Sequence, residues 1–132
     1  MNVALLILRV VIGCFMLVHG LPKLHTLVDG GTIKFGDPIG VGVIPSLILA
    51  VFAEVICSIL LIVGFGTRLA VLPLMTTMLV AIFVVHAPDG FDKKELAAHF
   101  LLVYFFLLLS GSGKYSVDYL ISTRLNRRRR RR

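Results

Sequence analysis

Charged residues are scarce in this chain. Only 16% of its 132 residues are Asp, Glu, Lys or Arg, 58% are hydrophobic, and the mean hydropathy is +0.96. A soluble domain of this length needs polar helix faces around its core, and so little charge excludes one. Cysteine is scarcer still: Cys14 and Cys57 sit singly inside apolar stretches. Without a CxxC pair they argue against a disulfide framework, a zinc site and the paired thiols of a thiol oxidase, while a contact between the two at similar depth stays open. No glycine fingerprint for flavin or nicotinamide occurs, nor any iron–sulfur cysteine spacing. Electrons, if the chain handles them, must come from a partner protein or a small thiol-type donor.

What is plentiful is long apolar sequence. Residues 3–22, 43–65, 69–86 and 96–113 form four apolar runs, each about long enough to cross a hydrocarbon core of roughly 30 Å at 1.5 Å per residue. The first run is not expected to be a cleaved secretory signal, because Met1 and Asn2 give no basic leader, Arg9 interrupts it, and no small-residue cleavage site comes after it. Residues 23–42, rich in Gly, Asp and Pro, read as a true loop. Residues 64–68 read as a tight hairpin and residues 87–94 as a polar turn, so neighbouring helices should be antiparallel. The expected fold is an all-α membrane protein, an antiparallel bundle of four transmembrane helices over residues 1–122, with residues 123–132 as a disordered basic tail.

The net charge of +7 is dominated by the Arg run 127–132. No basic and aromatic residues interleave as in a folded nucleic-acid binder, so nucleic acid is not an expected partner. The run either meets anionic lipid headgroups or is an appended tail. With four spans both termini share one side, carrying Arg68, Lys114, Arg124 and the run, against Lys23, Lys34, Lys93 and Lys94 on the other. The positive-inside rule then puts both termini in the cytoplasm, and the expected location is the bacterial cytoplasmic (inner) membrane.

Two charges stand inside the spans: Arg9 in the first and Glu54 near the middle of the second. Each costs on the order of 3 kcal/mol alone, so pairing is the expected remedy, and an Arg9–Glu54 contact is predicted. Arg9, Gly13, Met16 and Gly20 share one face of the first helix, where small residues would admit the second helix closely. Such a pair serves as a structural clasp, or Glu54 handles a proton or a polar ligand head. His19, His86 and His99 reach similar depth near the outer side; interfacial hydrogen bonding is favoured over a metal site, since no HxxxH or ExxH pair occurs. Glu95 reads as a helix cap. Phe100, Tyr104, Phe105 and Phe106 read as packing residues, with a quinone slot as the sharper alternative.

The order of short motifs along these spans resembles the DoxX family of small membrane proteins. Leu8, Arg9, Gly13, His19, Gly20, Lys23 and Leu24 are similar to its LR, G and HGxxKL opening. Phe52, Ala53 and Glu54 resemble its second-helix glutamate element, Gly64, Thr67 and Arg68 its closing turn, and Gly113, Lys114, Tyr115, Ser116 and Asp118 its G(R/K)YS-x-D ending. The resemblance covers residues 3–121. It implies four spans and an association with sulfur or thiol redox work, including thiosulfate:quinone oxidoreductase subunits and complexes that collaborate with soluble oxidoreductases. Carried over residue by residue, it marks Arg9, His19, Lys23 and Glu54.

The resulting expectation is a redox-associated membrane subunit that holds a quinone between spans one and two near the outer leaflet. His19 and Lys23 would meet the carbonyl, Arg9 would join the cofactor-binding set, and Glu54 would accept a proton, with His19 and Glu54 as the catalytic pair and no metal. Its partners would be the bilayer, a soluble or membrane oxidoreductase, and, as a further class, a second copy of the chain. The rivals are a non-catalytic scaffold and a small proton-coupled transporter, the latter calling for broken helices and an inverted repeat.

Overall fold

The computed structural model describes residues 1–131, and Arg132 of the expected tail lies outside them. Helices α1 (Asn2–Asp29), α2 (Val43–Val63), α3 (Thr67–Val85), α4 (Phe91–Ser110) and α5 (Val117–Arg130) succeed one another, with no strand among the described residues. Three of these, α1, α2 and α3, are long and apolar enough to cross a membrane. Helix α4 opens with Asp92, Lys93, Lys94 and Glu95, so its apolar stretch begins at Leu96. It stops at Gly111, whose φ of 76° ends the helix before the expected residue 113. The segment expected to be a disordered tail is helical through Arg130.

Helix α1 outruns its expected end. Pro22 removes one backbone donor without stopping the helix, which continues to Asp29 and is capped by Gly30 at φ 61°. The reason is packing: Leu24 and Leu27 lie against the buried cluster of Leu47, Val51 and Val55 on α2. Lys23 therefore sits on a helix rather than in the loop. After that loop, Asp37 pins the start of α2. Its Oδ1 accepts from the Val41 N–H (3.0 Å) and the Ser46 hydroxyl (2.8 Å), and its Oδ2 accepts from the Gly42 N–H (2.8 Å).

The two glycines of the α1 face bring α2 close. A Cβ on Gly13 would lie 2.5 Å from Ile62 Cγ1, and one on Gly20 would lie 2.9 Å from Glu54 Cβ. Any larger side chain would push the helices apart and cost their packing. This contact also fixes the register of α1 on α2, with Gly20 at the level of Glu54. The core between the helices holds Leu5, Met16, Leu61, Val71, Leu74, Tyr104 and Leu107. The outside is equally apolar: Ile7, Phe15, Ile59, Leu69, Phe83, Leu102 and Leu109 are exposed. In water so extensive an apolar exterior would aggregate, whereas lipid tails match it.

Two stretches are wound as π-helix, Phe52–Cys57 within α2 and Ala81–Val85 at the end of α3. Each widened turn rotates the later part of its helix relative to the earlier part, and such turns gather at functional sites. The first of them carries Glu54.

A knot of polar contacts closes the opposite end. Fully buried Arg9 donates through Nη2 to the Tyr115 carbonyl. Asp118 takes the N–H groups of Gly66 (2.8 Å) and Thr67 (3.2 Å), capping α3, while its own N–H donates to the Gly64 carbonyl (3.0 Å). The Lys114 N–H donates to Asn2 Oδ1 at 3.1 Å, so the start of α1 lies beside the segment that leaves α4. Gly64 makes this possible: its φ is 74°, and a Cβ there would overlap the Arg9 guanidinium at 1.8 Å. The family-like turn and ending are thus explained as the parts of one structural closure.

Candidate functional site

Among the described residues, Glu54 is the one acidic side chain buried in the core, and its partner is Lys23. Lys23 Nζ lies 2.6 Å from Oε1 and 2.7 Å from Oε2, with side-chain exposure of 31% for Lys23 and 3% for Glu54. This corrects the expected Arg9–Glu54 pair. Arg9 and Lys23 are about 21 Å apart along α1 at 1.5 Å per residue, and the Gly20 contact sets Glu54 at the Lys23 end. Arg9 is left level with Gly64, where it enters the polar knot. The sequence identified both charges as needing partners but could not supply the vertical register between two helices. Lys23, read as a loop residue, was missed as the counter-ion.

The pair forms part of the wall of a cleft of about 760 Å³ between α2 and α3. Both π-helical stretches border it, through Phe52, Ala53 and Glu54 on one side and Ala81 and Val85 on the other. Loop residues Phe35, Pro38 and Ile39 cover one end. The Phe35 ring lies 5.9 Å from Lys23 Nζ, at the outer limit of a cation–π contact. Leu49, Phe52 and Leu72, which line the cleft, are also exposed, so the cleft meets the lipid-facing surface.

Polarity inside the cleft is concentrated at that one point. The hydroxyls of Thr76 and Thr77 donate to the Leu72 and Pro73 carbonyls of their own helix (3.0 and 2.9 Å), and Ser46 is committed to Asp37. An ammonium has three N–H donors. Glu54 engages two on Lys23, and the third has no hydrogen-bond partner among the described residues. Tyr104 of α4 is fully buried, and its hydroxyl has no hydrogen-bond partner among the described residues. Sequence reading weighed Tyr104 only as an aromatic; its hydroxyl in an apolar run was the available signal.

The three histidines have separate surroundings. The His19 ring stands edge-on to Phe100 at 5.9 Å between centroids, and His19 is not among the residues lining the cleft. At the cleft rim, His86 Nδ1 lies 2.8 Å from Asp89 Oδ2. That hydrogen bond, reinforced by the charge of Lys93, holds the Asp89 carboxyl below the usual carboxylate range. His99 Nδ1 lies 2.8 Å from the Glu95 carbonyl of its own helix. Among the described residues no group of three or more His, Cys, Asp or Glu is arranged to hold a metal ion. Cys14 is exposed, Cys57 is buried in the core, and both are free thiols.

Comparison with known proteins places relatives beside this geometry. The model of the DoxX family matches residues 4–87, which span α1 to α3. An uncharacterized protein of Haemophilus influenzae is 32% identical over 121 residues, covering 84% of this chain and 85% of its own length. A Bacillus subtilis protein named "Putative oxidoreductase CatD" is 32% identical over 120 residues, covering 89% of this chain and 86% of its own length. No solved structure matches the chain.

Proposed function

This chain belongs to the DoxX family, and from that premise we propose that it is a redox-associated membrane protein whose α2–α3 cleft binds a quinone headgroup. The observation that carries the reading is the buried Lys23–Glu54 pair on the wall of an otherwise apolar cleft open to the lipid-facing surface. Its volume falls in the range of small-molecule sites, and its few polar groups converge as such sites require. The name of the Bacillus subtilis relative favours redox work. Quinone, when bound, supplies a two-electron, two-proton acceptor. Lys23 is assigned to donate its remaining N–H to a carbonyl oxygen, and Glu54 to hold and pass a proton beside it. The electrons come from a partner oxidoreductase or a thiol-type donor, in keeping with the sulfur or thiol work of the family.

The proposal extends to topology. Helices α1 and α2 run antiparallel, since Gly13 meets Ile62 and Gly20 meets Glu54, α3 reverses direction again across the tight turn at residues 64–66, and the Asn2–Lys114 contact returns the end of α4 to the starting side. On this reading α4 recrosses the same thickness, giving an antiparallel bundle of four spans. The positive-inside rule then puts the end with Arg68, Lys114 and α5 in the cytoplasm of a bacterial cell. Efficient labelling of Thr32→Cys from outside intact cells is expected; labelling only after lysis would reverse the orientation.

Binding of a short-chain quinone to purified protein tests the site. Saturable binding is expected, lost in Ala50→Phe, which fills the cleft wall without touching the ion pair, and retained in His19→Leu. Glu54→Gln should spare binding and slow proton-coupled turnover. Loss in His19→Leu with retention in Ala50→Phe would return the site to the α1–α2 side. No saturable binding by well-folded protein would favour the scaffold reading, which the knot around Arg9 supports by showing how much of the polar chemistry is structural.

A further inference from the structure

Helix α5 is built unlike the rest of the molecule. It leaves the bundle at Ser116, whose hydroxyl accepts the Tyr119 N–H at 3.2 Å, and it buries none of its residues. Its root is rigid all the same, because Asp118 is clamped to the residues 64–67 turn and the Ser116 hydroxyl donates to the Gly113 carbonyl at 2.7 Å. A helix fixed at one end and unpacked along its length presents its side chains to whatever lies beside the membrane-spanning part.

Those side chains sort by face. At 100° per residue, Val117, Ile121, Leu125 and Arg128 succeed one another along one side, with Leu120, Arg124, Arg127 and Arg131 flanking it. Leu120 is 59% exposed and Leu125 56%. Ile121, Leu125, Arg124, Arg127, Arg128 and Arg131 line one shallow concavity. The first turns of this face thus offer aliphatic groups and the later turns guanidinium groups, which is the order met on passing from acyl chains into phosphate headgroups. Asp118, Ser122 and Asn126 occupy the opposite side, which Arg129 and Arg130 share.

We propose that α5 lies along the bilayer surface as an anionic-phospholipid-binding helix, with Leu120, Ile121 and Leu125 entering the headgroup–acyl boundary and the arginines holding lipid phosphates. The occupant is argued from charge complementarity and from place: the helix starts where the apolar bundle ends, within reach of the bilayer that the bundle requires. Guanidinium groups bind phosphate oxygens through paired N–H donors. Each arginine near an anionic surface strengthens attachment by roughly fivefold at physiological ionic strength. Unlike the quinone reading, this proposal involves neither Lys23 nor Glu54.

The test uses the full chain in lipid nanodiscs, labelled at Leu125→Cys with a polarity-sensitive fluorophore in a Cys14→Ser background. In discs containing phosphatidylglycerol, the emission should shift to the blue and be quenched by brominated acyl chains, and high salt should reverse both effects. Replacing Arg124, Arg127, Arg128 and Arg131 by Gln together should remove most of the dependence on phosphatidylglycerol, with Arg129 and Arg130 left on the other side of the helix; these exposed positions leave the bundle folded, which unchanged thermal unfolding checks. A fluorophore equally wet in phosphatidylcholine and phosphatidylglycerol discs, and blind to brominated lipid, would overturn the proposal and direct the search to an acidic soluble partner.

Discussion

Replacing Lys23 by Met removes the counter-ion of Glu54 and leaves its carboxylate, 3% exposed, inside the bundle. Breaking a buried pair from one side costs about 3–5 kcal/mol, because the remaining charge stays uncompensated. The reverse change, Glu54→Gln, should be much milder. The Lys23 side chain is 31% exposed, so its ammonium can reach water or headgroups along its flexible stem, and the amide oxygen still accepts one hydrogen bond; about 1 kcal/mol is expected. The double change leaves no buried charge and should cost about 1 kcal/mol as well, a coupling of about 3–5 kcal/mol between the sites. Reversible unfolding in mixed detergent micelles measures all three variants. Equal costs for the two single changes, with a double equal to their sum, would refute the pairing. The same cycle on Arg9 and Glu54 should give additive effects, because the ten-position offset from Glu54 to Gly64 puts about 15 Å between the levels of the two charges.

The closing knot and the loop give two further predictions. Gly64→Ala puts a Cβ where the Arg9 guanidinium lies, at a φ of 74°, and should destabilise by about 4 kcal/mol through strain and displacement of a buried charge; the same unfolding assay reads it, and a loss below about 1 kcal/mol would contradict the packing. The Ser46 hydroxyl, then the Gly42 and Val41 N–H groups, hold the Asp37 carboxyl below its ordinary range. A carboxyl lowered in the folded state contributes stability that is present above its unfolded value and lost as pH falls through the folded one. Protection of the Val41 and Gly42 amides from hydrogen exchange, taken relative to the intrinsic rate at each pH, should therefore fall below about pH 4 in the parent and be low at every pH in Asp37→Ala; high protection in that variant would show that something else holds the loop.

The apolar runs were legible because lipid imposes length and hydropathy on any span, whatever its neighbours. The close approach at Gly13 and Gly20 was legible too, since small residues four or seven apart on one face have a direct steric meaning. Which charge meets which was not. Arg9 and Glu54 each announced a need for a partner, but the choice depended on how far α1 slides along α2 and on Leu24 and Leu27 extending α1 past Pro22. The cleft was hidden for a related reason: two π-helical stretches border it, and a widened turn leaves no periodic trace in an all-apolar run. The ending with Lys114, Tyr115, Ser116 and Asp118 read as a family signature; its work depends on contacts 51 and 52 positions away in capping α3 and 106 positions away in meeting Arg9.

That reach along the chain bears on how the protein is made. Arg9 is synthesised near the beginning, yet the carbonyl that receives its guanidinium belongs to a residue 106 positions later. At roughly 5–20 residues per second, a ribosome needs on the order of 5–20 seconds to cover that interval. Throughout it, the first helix carries a cation with no lasting place in hydrocarbon, so it is expected to sit shallow or stay with the insertion machinery until the last segment emerges. A nascent chain interrupted before Tyr115 would keep that cation unsatisfied, which gives cellular quality control a built-in way to distinguish incomplete chains from finished ones.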